Sequence, residues 1–304
     1  MSIVLEFGHP ECTEVSRAGG KGSSLARMAA VGLPVPPGFV VPANALADAL
    51  PDHGAQLHAL AEAQDAAAAQ ELIRSVELDP ALRQAVLDAY AALSGGGQGD
   101  APVAVRSSAC AEDSEAASFA GQQETFLHVR GGDAVRARIR DCWASFFSER
   151  ALFYRSQKGS LSDLGMAVVV QRMVHADVAG VLFTCDPVHN RRDRMVVEAV
   201  LGLGEAAVSG AVTPDHYVLK RDGRVRKAKV HQQPYAIVAG DAGGVIEHPL
   251  SPDEGGARKA GDELLAELAR IGADLEQRVG VPQDIEWAVQ DGELYVLQAR
   301  PVTT

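Results

Sequence analysis

The first 45 residues alternate short apolar runs with Gly and Pro. Residues 18–24, Ala-Gly-Gly-Lys-Gly-Ser-Ser, read as a flexible turn, and residues 25–30 as a short helix. Gly32-Leu33-Pro34-Val35-Pro36-Pro37-Gly38 breaks that helix, and Phe39-Val40-Val41 is a strand. Residues 55–93 are Ala-rich and helical. Asp79-Pro80 opens the last helix there with an N-cap and a first-turn proline, and Leu82, Val86, Tyr90 and Leu93 form its apolar stripe. Val103-Ala104-Val105 is a short strand ending at Arg106. A long helix is expected from Asp133 to about Ser156, burying Val135, Ile139, Trp143, Phe146, Phe147 and Phe153. Beyond it the pattern turns to β-branched strand runs at 166–174, 178–184 and 195–200. A hairpin at 216–230 turns at Asp222-Gly223, an amphipathic helix covers 262–279, and a second hairpin closes at 284–300. This succession predicts an α+β chain in two lobes, 1–180 and 181–304.

The closing hairpin carries the strongest chemical signal. A plain two-residue Asp291-Gly292 turn pairs Ile285 with Gln298 and Glu286 with Leu297, which mixes polar and apolar side chains on both faces. A three-residue turn pairs Trp287 with Tyr295 and Ile285 with Leu297. That register collects Ile285, Trp287, Val289, Tyr295 and Leu297 on one face, and Asp284, Glu286, Gln298 and Arg300 on the other. Hard oxygen donors of this kind suit Mg²⁺ shared with phosphates, and a guanidinium grips phosphate bidentately. A solvated polar face with one ion pair is the competing reading.

Other features are weaker. After Arg106 comes a stretch of small residues (Ser107, Ser108, Ser114, Ser118, Gly121, Thr125) that suits either a phosphate-covering loop or an ordinary surface loop. It lacks the Gly-Lys-Ser/Thr of a Walker loop. Gly202-Leu203-Gly204-Glu205 lacks the glycine spacing of a dinucleotide fingerprint and is a turn after a strand. Glu198 faces either a cleft or solvent. The nine histidines show no metal spacing and are read mostly as surface residues, and the Ser-rich stretch has no nearby His-Asp pattern of a hydrolase triad.

Composition narrows the classes. The net charge of −12 argues against nucleic-acid or anionic-membrane partners, and no apolar run reaches the length of a membrane span. With no visible secretory signal and four widely spaced cysteines (Cys12, Cys110, Cys142, Cys185), a reducing cytoplasm is expected. Six Lys accompany 22 Arg, and Lys21 is the only Lys before residue 158. Either chance placed it there, or that position needs a compact ammonium among phosphate oxygens.

These pieces resemble a known family. Gly19-Gly20-Lys21-Gly22 with Gly32-Leu33-Pro34-Val35-Pro36-Pro37-Gly38-Phe39 is similar to the opening of the nucleotide-binding domain of pyruvate phosphate dikinase, phosphoenolpyruvate synthase and rifampicin phosphotransferase. Arg106-Ser107-Ser108, Ala111-Glu112-Asp113, Ser118-Phe119-Ala120-Gly121-Gln122 and Glu124-Thr125 continue the likeness. So do Gln171-Arg172-Met173-Val174, Phe183-Thr184-Cys185-Asp186-Pro187, Thr213-Pro214-Asp215, Asp284-Ile285-Glu286-Trp287 and Leu297-Gln298-Ala299-Arg300-Pro301. The resemblance implies an ATP-grasp fold with ATP clamped between two lobes. It implies that Lys21 and Arg106 hold phosphates and that Gly121 and Thr125 belong to the covering loop. Gln171, Met173 and Val174 would lie at the adenine hinge. Glu286, Gln298 and Asp284 would hold Mg²⁺, and Arg300 would contact the polyphosphate. It further implies an ATP-using phosphotransferase of dikinase type, releasing AMP and phosphate. The family's mobile Thr-Ser-His domain and its pyruvate barrel have no counterpart before Thr304, so the acceptor is expected on a separate or missing domain. A kinase or ligase acting directly on a small acceptor, and a non-catalytic ATP-binding protein, are the alternatives.

Overall fold

The computed structural model describes residues 3–50, 52–95, 100–110, 124–158, 165–241 and 243–302. Two compact units emerge. The first holds residues 1–30 and 37–173, and the second holds residues 31–36 and 174–304.

The first unit runs β1 (Leu5–Glu6), α1 (Val15–Ala30), β2 (Gly38–Val41), α2 (Ala45–Asp48), α3 (Gly54–Glu62), α4 (Ala66–Ser75), α5 (Pro80–Leu93), β3 (Val103–Ala109), β4 (Thr125–Val129), α6 (Gly132–Ser145), α7 (Glu149–Lys158) and β5 (Met166–Arg172). Its five-stranded antiparallel sheet has the order β1-β2-β5-β3-β4. β5 is central, and its run Met166-Ala167-Val168-Val169-Val170-Gln171 is buried throughout because both sheet faces are covered. One face sends Phe39, Val41, Val105, Val168 and Val170 into a large core shared with Leu57, Ile73, Val86, Tyr90, Ile139, Trp143 and Phe147. α5 begins on its predicted cap, with the Asp79 carboxylate accepting from the N–H groups of Ala81 and Leu82.

Three expectations change here. Residues 18–24 are helical, inside α1, with the break confined to Gly19 (φ 69°, ψ 175°). β3 does not end at Arg106; Ser107, Ser108 and Ala109 continue it against Val168, Ala167 and Met166 of β5. The long helix expected at 133–156 is two helices, α6 and α7, and Phe153 is exposed (63%) rather than part of a buried face. The aromatic periodicity was continuous across the break, so periodicity alone did not reveal it.

The second unit runs β6 (Val178–Phe183), β7 (Arg194–Leu201), α8 (Glu205–Val208), β8 (Asp215–Lys220), β9 (Val225–Lys229), β10 (Tyr235–Ala239), β11 (Val245–Pro249), α9 (Pro252–Gly256), α10 (Asp262–Val279), β12 (Gln283–Gln290) and β13 (Glu293–Pro301). A six-stranded antiparallel sheet has the order β13-β12-β6-β7-β8-β9, and β10-β11 form a separate ribbon. The buried face carries Ile285, Leu182, Val197 and Tyr217 in one row, with Trp287, Gly180 and Ala199 in the next. Gly272 of α10 approaches this face so closely that a Cβ there would stand 2.8 Å from Leu182 Cδ2. Gly180 leaves room for the Trp287 ring, since its Cβ would lie 2.9 Å from that ring and 1.8 Å from the Glu198 carbonyl oxygen.

The closing hairpin departs from the expected register. Asp291 (φ 53°) and Gly292 (φ 80°) form a two-residue turn, both left-handed as a type I′ turn requires. Trp287 therefore pairs with Val296 and Ala288 with Tyr295. A bulge between Glu286 and Trp287 then takes up Leu297, so Glu286 faces Gln298, Ile285 faces Ala299 and Asp284 faces Arg300. The bulge, rather than the length of the turn, returns the polar side chains to one face. Tyr295 and Leu297 pack with Val174, Ala179 and Ala288 instead of joining Trp287.

A buried ionic network ties the later segments to β8. Lys259 Nζ stands 3.1 Å from Asp215 Oδ1, with both side chains at most 1% exposed. It also donates to the carbonyls of His231 (2.6 Å) and Gly255 (2.8 Å). Asp215 accepts further bonds from Tyr217 Oη (2.7 Å) and from the N–H groups of His231 (2.9 Å) and Lys259 (3.0 Å). Each lone pair and proton that burial strips of water is thereby re-partnered.

Candidate nucleotide-binding residues

In the first unit the sheet register gathers three of the sequence-predicted residues on the face opposite the large core. Val40, Val169, Arg106 and Thr125 occupy one cross-strand row, and Gln171 lies two residues along β5 from Val169. Paired positions share a face, so Arg106, Thr125 and Gln171 emerge together. Arg106 (9% exposed) and Gln171 (3%) are buried, whereas Thr125 is exposed. Met173, half-buried, follows β5, and its N–H bonds the Pro102 carbonyl at 2.9 Å.

α1 lies across this face, and the glycines of its opening motif explain how. A Cβ at Gly19 would sit 2.2 Å from the Ser108 carbonyl oxygen, and one at Gly22 3.0 Å from Val40 Cγ2. Ser108 Oγ donates to the Ala18 carbonyl (2.9 Å) and accepts from Gly22 N–H (3.1 Å). This contact seats Lys21, 5% exposed, with its ammonium donating to the Ser107 carbonyl at 2.7 Å. Gly121 falls outside the described residues.

In the second unit, Asp284, Glu286, Gln298 and Arg300 share one face at the open end of the hairpin. Arg300 Nε donates to Asp284 Oδ2 at 2.8 Å. Burial pushes the Asp284 carboxyl above its ordinary range, Arg300 pulls it back in part, and Glu286 and Glu198 add repulsion. Val174 is buried at the start of this unit. The row of Glu286 extends across the sheet through Val181 to Glu198 and His216 and on to Lys229. Glu198 Oε1 stands 3.6 Å from His216 Nδ1. In the sequence Glu198 suits either a cleft or solvent, and His216 reads as a surface histidine. Only cross-strand register places them beside the hairpin quartet, and no local spacing encodes it.

The donor chemistry can be tested against Mg²⁺. Among the described residues, no group of three or more His, Cys, Asp and Glu is arranged to hold a metal by itself. The hairpin offers two carboxylates and one amide oxygen on a single face. That set fits an ion which takes one or two carboxylates and completes its shell with water and substrate phosphates.

The family model of the pyruvate phosphate dikinase AMP/ATP-binding domain matches residues 15–304. Over 306 residues the chain is 40% identical to the probable phosphoenolpyruvate synthase of Methanothermobacter thermautotrophicus, covering 96% of this chain and 44% of that protein. The phosphoenolpyruvate synthase of Pyrococcus furiosus is 37% identical over 96% of this chain and 42% of its own length. The rifampicin phosphotransferase of Bacillus cereus is 36% identical over 100% of this chain and 36% of its own. The chain thus spans less than half the length of each of these relatives. With a match of this extent, the chain belongs to the family of the pyruvate phosphate dikinase AMP/ATP-binding domain, whose fold is of the ATP-grasp type.

Proposed function

We propose that this chain is the ATP- and Mg²⁺-using module of a dikinase-type phosphotransferase. The carrying observation is that each unit bears a polar face of its own: Arg106, Thr125 and Gln171 beneath Lys21 in one, and the Asp284-Glu286-Gln298-Arg300 quartet in the other. Lys21 and Arg106 neutralise phosphate oxygens, with Thr125 contributing a donor, and Gly121 would belong to the loop covering them. Gln171, Met173 and Val174 receive the adenine. Arg300 grips the polyphosphate while Asp284 orients its guanidinium. Glu286 and Gln298, with Asp284, would hold Mg²⁺, which when bound supplies charge neutralisation for the phosphoryl groups.

In the dikinase reading, the β-phosphoryl passes to a histidine of a separate domain and the γ-phosphoryl to water. ATP, water and histidine then yield AMP, inorganic phosphate and phosphohistidine. Related full-length proteins named phosphoenolpyruvate synthase and rifampicin phosphotransferase support that reading. The test is calorimetric titration with Mg·ATP, followed by product analysis with a histidine-bearing domain of such a relative supplied in trans. Wild type should bind, and Lys21→Ala should lose binding at least tenfold; equal affinity overturns the phosphate assignment. AMP with phosphate supports dikinase chemistry, whereas ADP points to simple kinase action and absence of product to a binding protein.

A further inference from the structure

The first unit contains a cavity of about 520 Å³ that the nucleotide reading does not use. Its walls come from α4, α6, the start of α7, β4 and the residue preceding β4. Three guanidinium groups line it, Arg74, Arg138 and Arg150, along with the carboxylates of Asp141 and Glu124. This concavity thus carries one more cation than anion in a chain of net charge −12.

The cations are held in place. Asp141 is bridged by Arg74 (Nε to Oδ1, 3.3 Å) and Arg138 (Nη1 to Oδ2, 2.8 Å), so its charge is already committed. Arg138 also stacks on Phe126, its guanidinium carbon 4.7 Å from the ring centre. Arg74 is braced by Gln70 (3.3 Å). Arg150, at the start of α7, is exposed and makes no hydrogen bond or ion pair with the described residues. Two fixed guanidinium groups and one uncommitted one, beside the Ser145 and Ser148 hydroxyls, match a compact oxyanion better than any apolar or cationic ligand.

We propose that this cavity is a binding site for a small dianionic oxyanion, distinct from the nucleotide-binding residues. Phosphate monoesters and dicarboxylates share the chemistry that would be recognised: two negative oxygen groups able to engage guanidinium forks. Ligation is reversible and involves no covalent step. The cavity volume lies within the range of small-molecule sites. The inference does not depend on ATP being the ligand elsewhere.

The test is calorimetric titration of the full chain with inorganic phosphate and, in a second arm, with succinate. Each is run alone and with a saturating non-hydrolysable ATP analogue. One equivalent should bind in at least one arm, the tighter arm identifying the class, and the analogue should change that affinity less than twofold. Arg150→Ala should weaken binding about tenfold, as loss of a charge-assisted fork predicts, and Glu124→Gln should tighten it. Lys21→Ala should leave it unchanged. Because Arg150 is exposed, its variant tests binding without disturbing the core. Absence of binding to either anion at 10 mM, displacement by the nucleotide analogue, or unchanged affinity in Arg150→Ala each overturns the proposal.

Discussion

Gly19→Ala is expected to be among the most damaging single-methyl additions in the first unit. Gly19 adopts φ 69° and ψ 175°, a region that side-chain-bearing residues avoid at a cost of about 1–3 kcal/mol. The new methyl would also lie 2.2 Å from the Ser108 carbonyl oxygen and 2.3 Å from its hydroxyl. Relief requires α1 to lift from β3, which breaks the Ser108 hydroxyl bonds to Ala18 and Gly22, worth about 1 kcal/mol each. The combined loss is about 4 kcal/mol. Gly32→Ala is the control: it shares a positive φ of 78° but has open space around its Cβ, so it should cost only about 1 kcal/mol. Urea unfolding at neutral pH measures both. Equal midpoints for the two variants would refute the close-approach argument, leaving backbone strain as the sole effect. The same displacement pulls Lys21 from the Ser107 carbonyl, so Gly19→Ala should also weaken Mg·ATP binding, whereas Gly32→Ala should not.

Further outcomes follow from the second unit and the cysteines. Lys259→Met leaves Asp215 buried and without its counter-ion and should cost about 3–5 kcal/mol; thermal unfolding of Lys259→Met beside Asp215→Asn/Lys259→Met, which should recover part of the loss, checks it. Burial raises the Asp284 carboxyl, so ionising it opposes folding: the penalty is absent below the unfolded pKa of about 4 and complete once pH exceeds the folded value. The stability of Asp284→Asn relative to wild type should therefore rise with pH across that window, and a flat difference contradicts the assignment. Arg300→Ala removes the group that lowers this carboxyl and should move its titration upward in a carboxyl-resolved NMR experiment. Burial pushes the Cys12 thiol up to about 12 and raises Cys142 as well, so neither should react with a thiol reagent at pH 8 before unfolding, and rapid labelling of either would count against the packing.

Legibility of the fold depended on how local the determinants were. α10 and the Asp222-Gly223 hairpin lie where stripes and turn residues place them, because their signals are contained within a few residues. The opening Gly-Gly-Lys-Gly misled for a physical reason. Gly19 serves a close approach to Ser108 of β3 and Gly22 one to Val40 of β2, not chain flexibility, and spacing alone does not distinguish the two. Ser107 and Ser108 read as loop because small polar residues are poor strand formers in isolation, yet pairing with β5 holds them in β3. The quartet of Asp284, Glu286, Gln298 and Arg300 was legible because it lies on a single hairpin. Its extension to Glu198 and His216 was not, since that row crosses four strands drawn from distant parts of the chain.

The bulge at Leu297 has a further consequence. It uncouples the two ends of the hairpin, one governed by the turn and the other by the polar quartet. The tight Asp291-Gly292 turn is free to choose the pairing its left-handed backbone favours, and the extra residue absorbs the mismatch before it reaches the open end. Drawing Leu297 into the ladder without a bulge would transmit the turn's phase along the whole of β13, pairing Glu286 with Leu297 and Ile285 with Gln298. Arg300 and Gln298 would then exchange places with the buried Ala299 side of the strand, whereas deleting Leu297 altogether would leave Glu286 opposite Gln298 and Asp284 opposite Arg300. Leaving a single apolar residue out of the ladder thus decides which side of the sheet the chemistry is on.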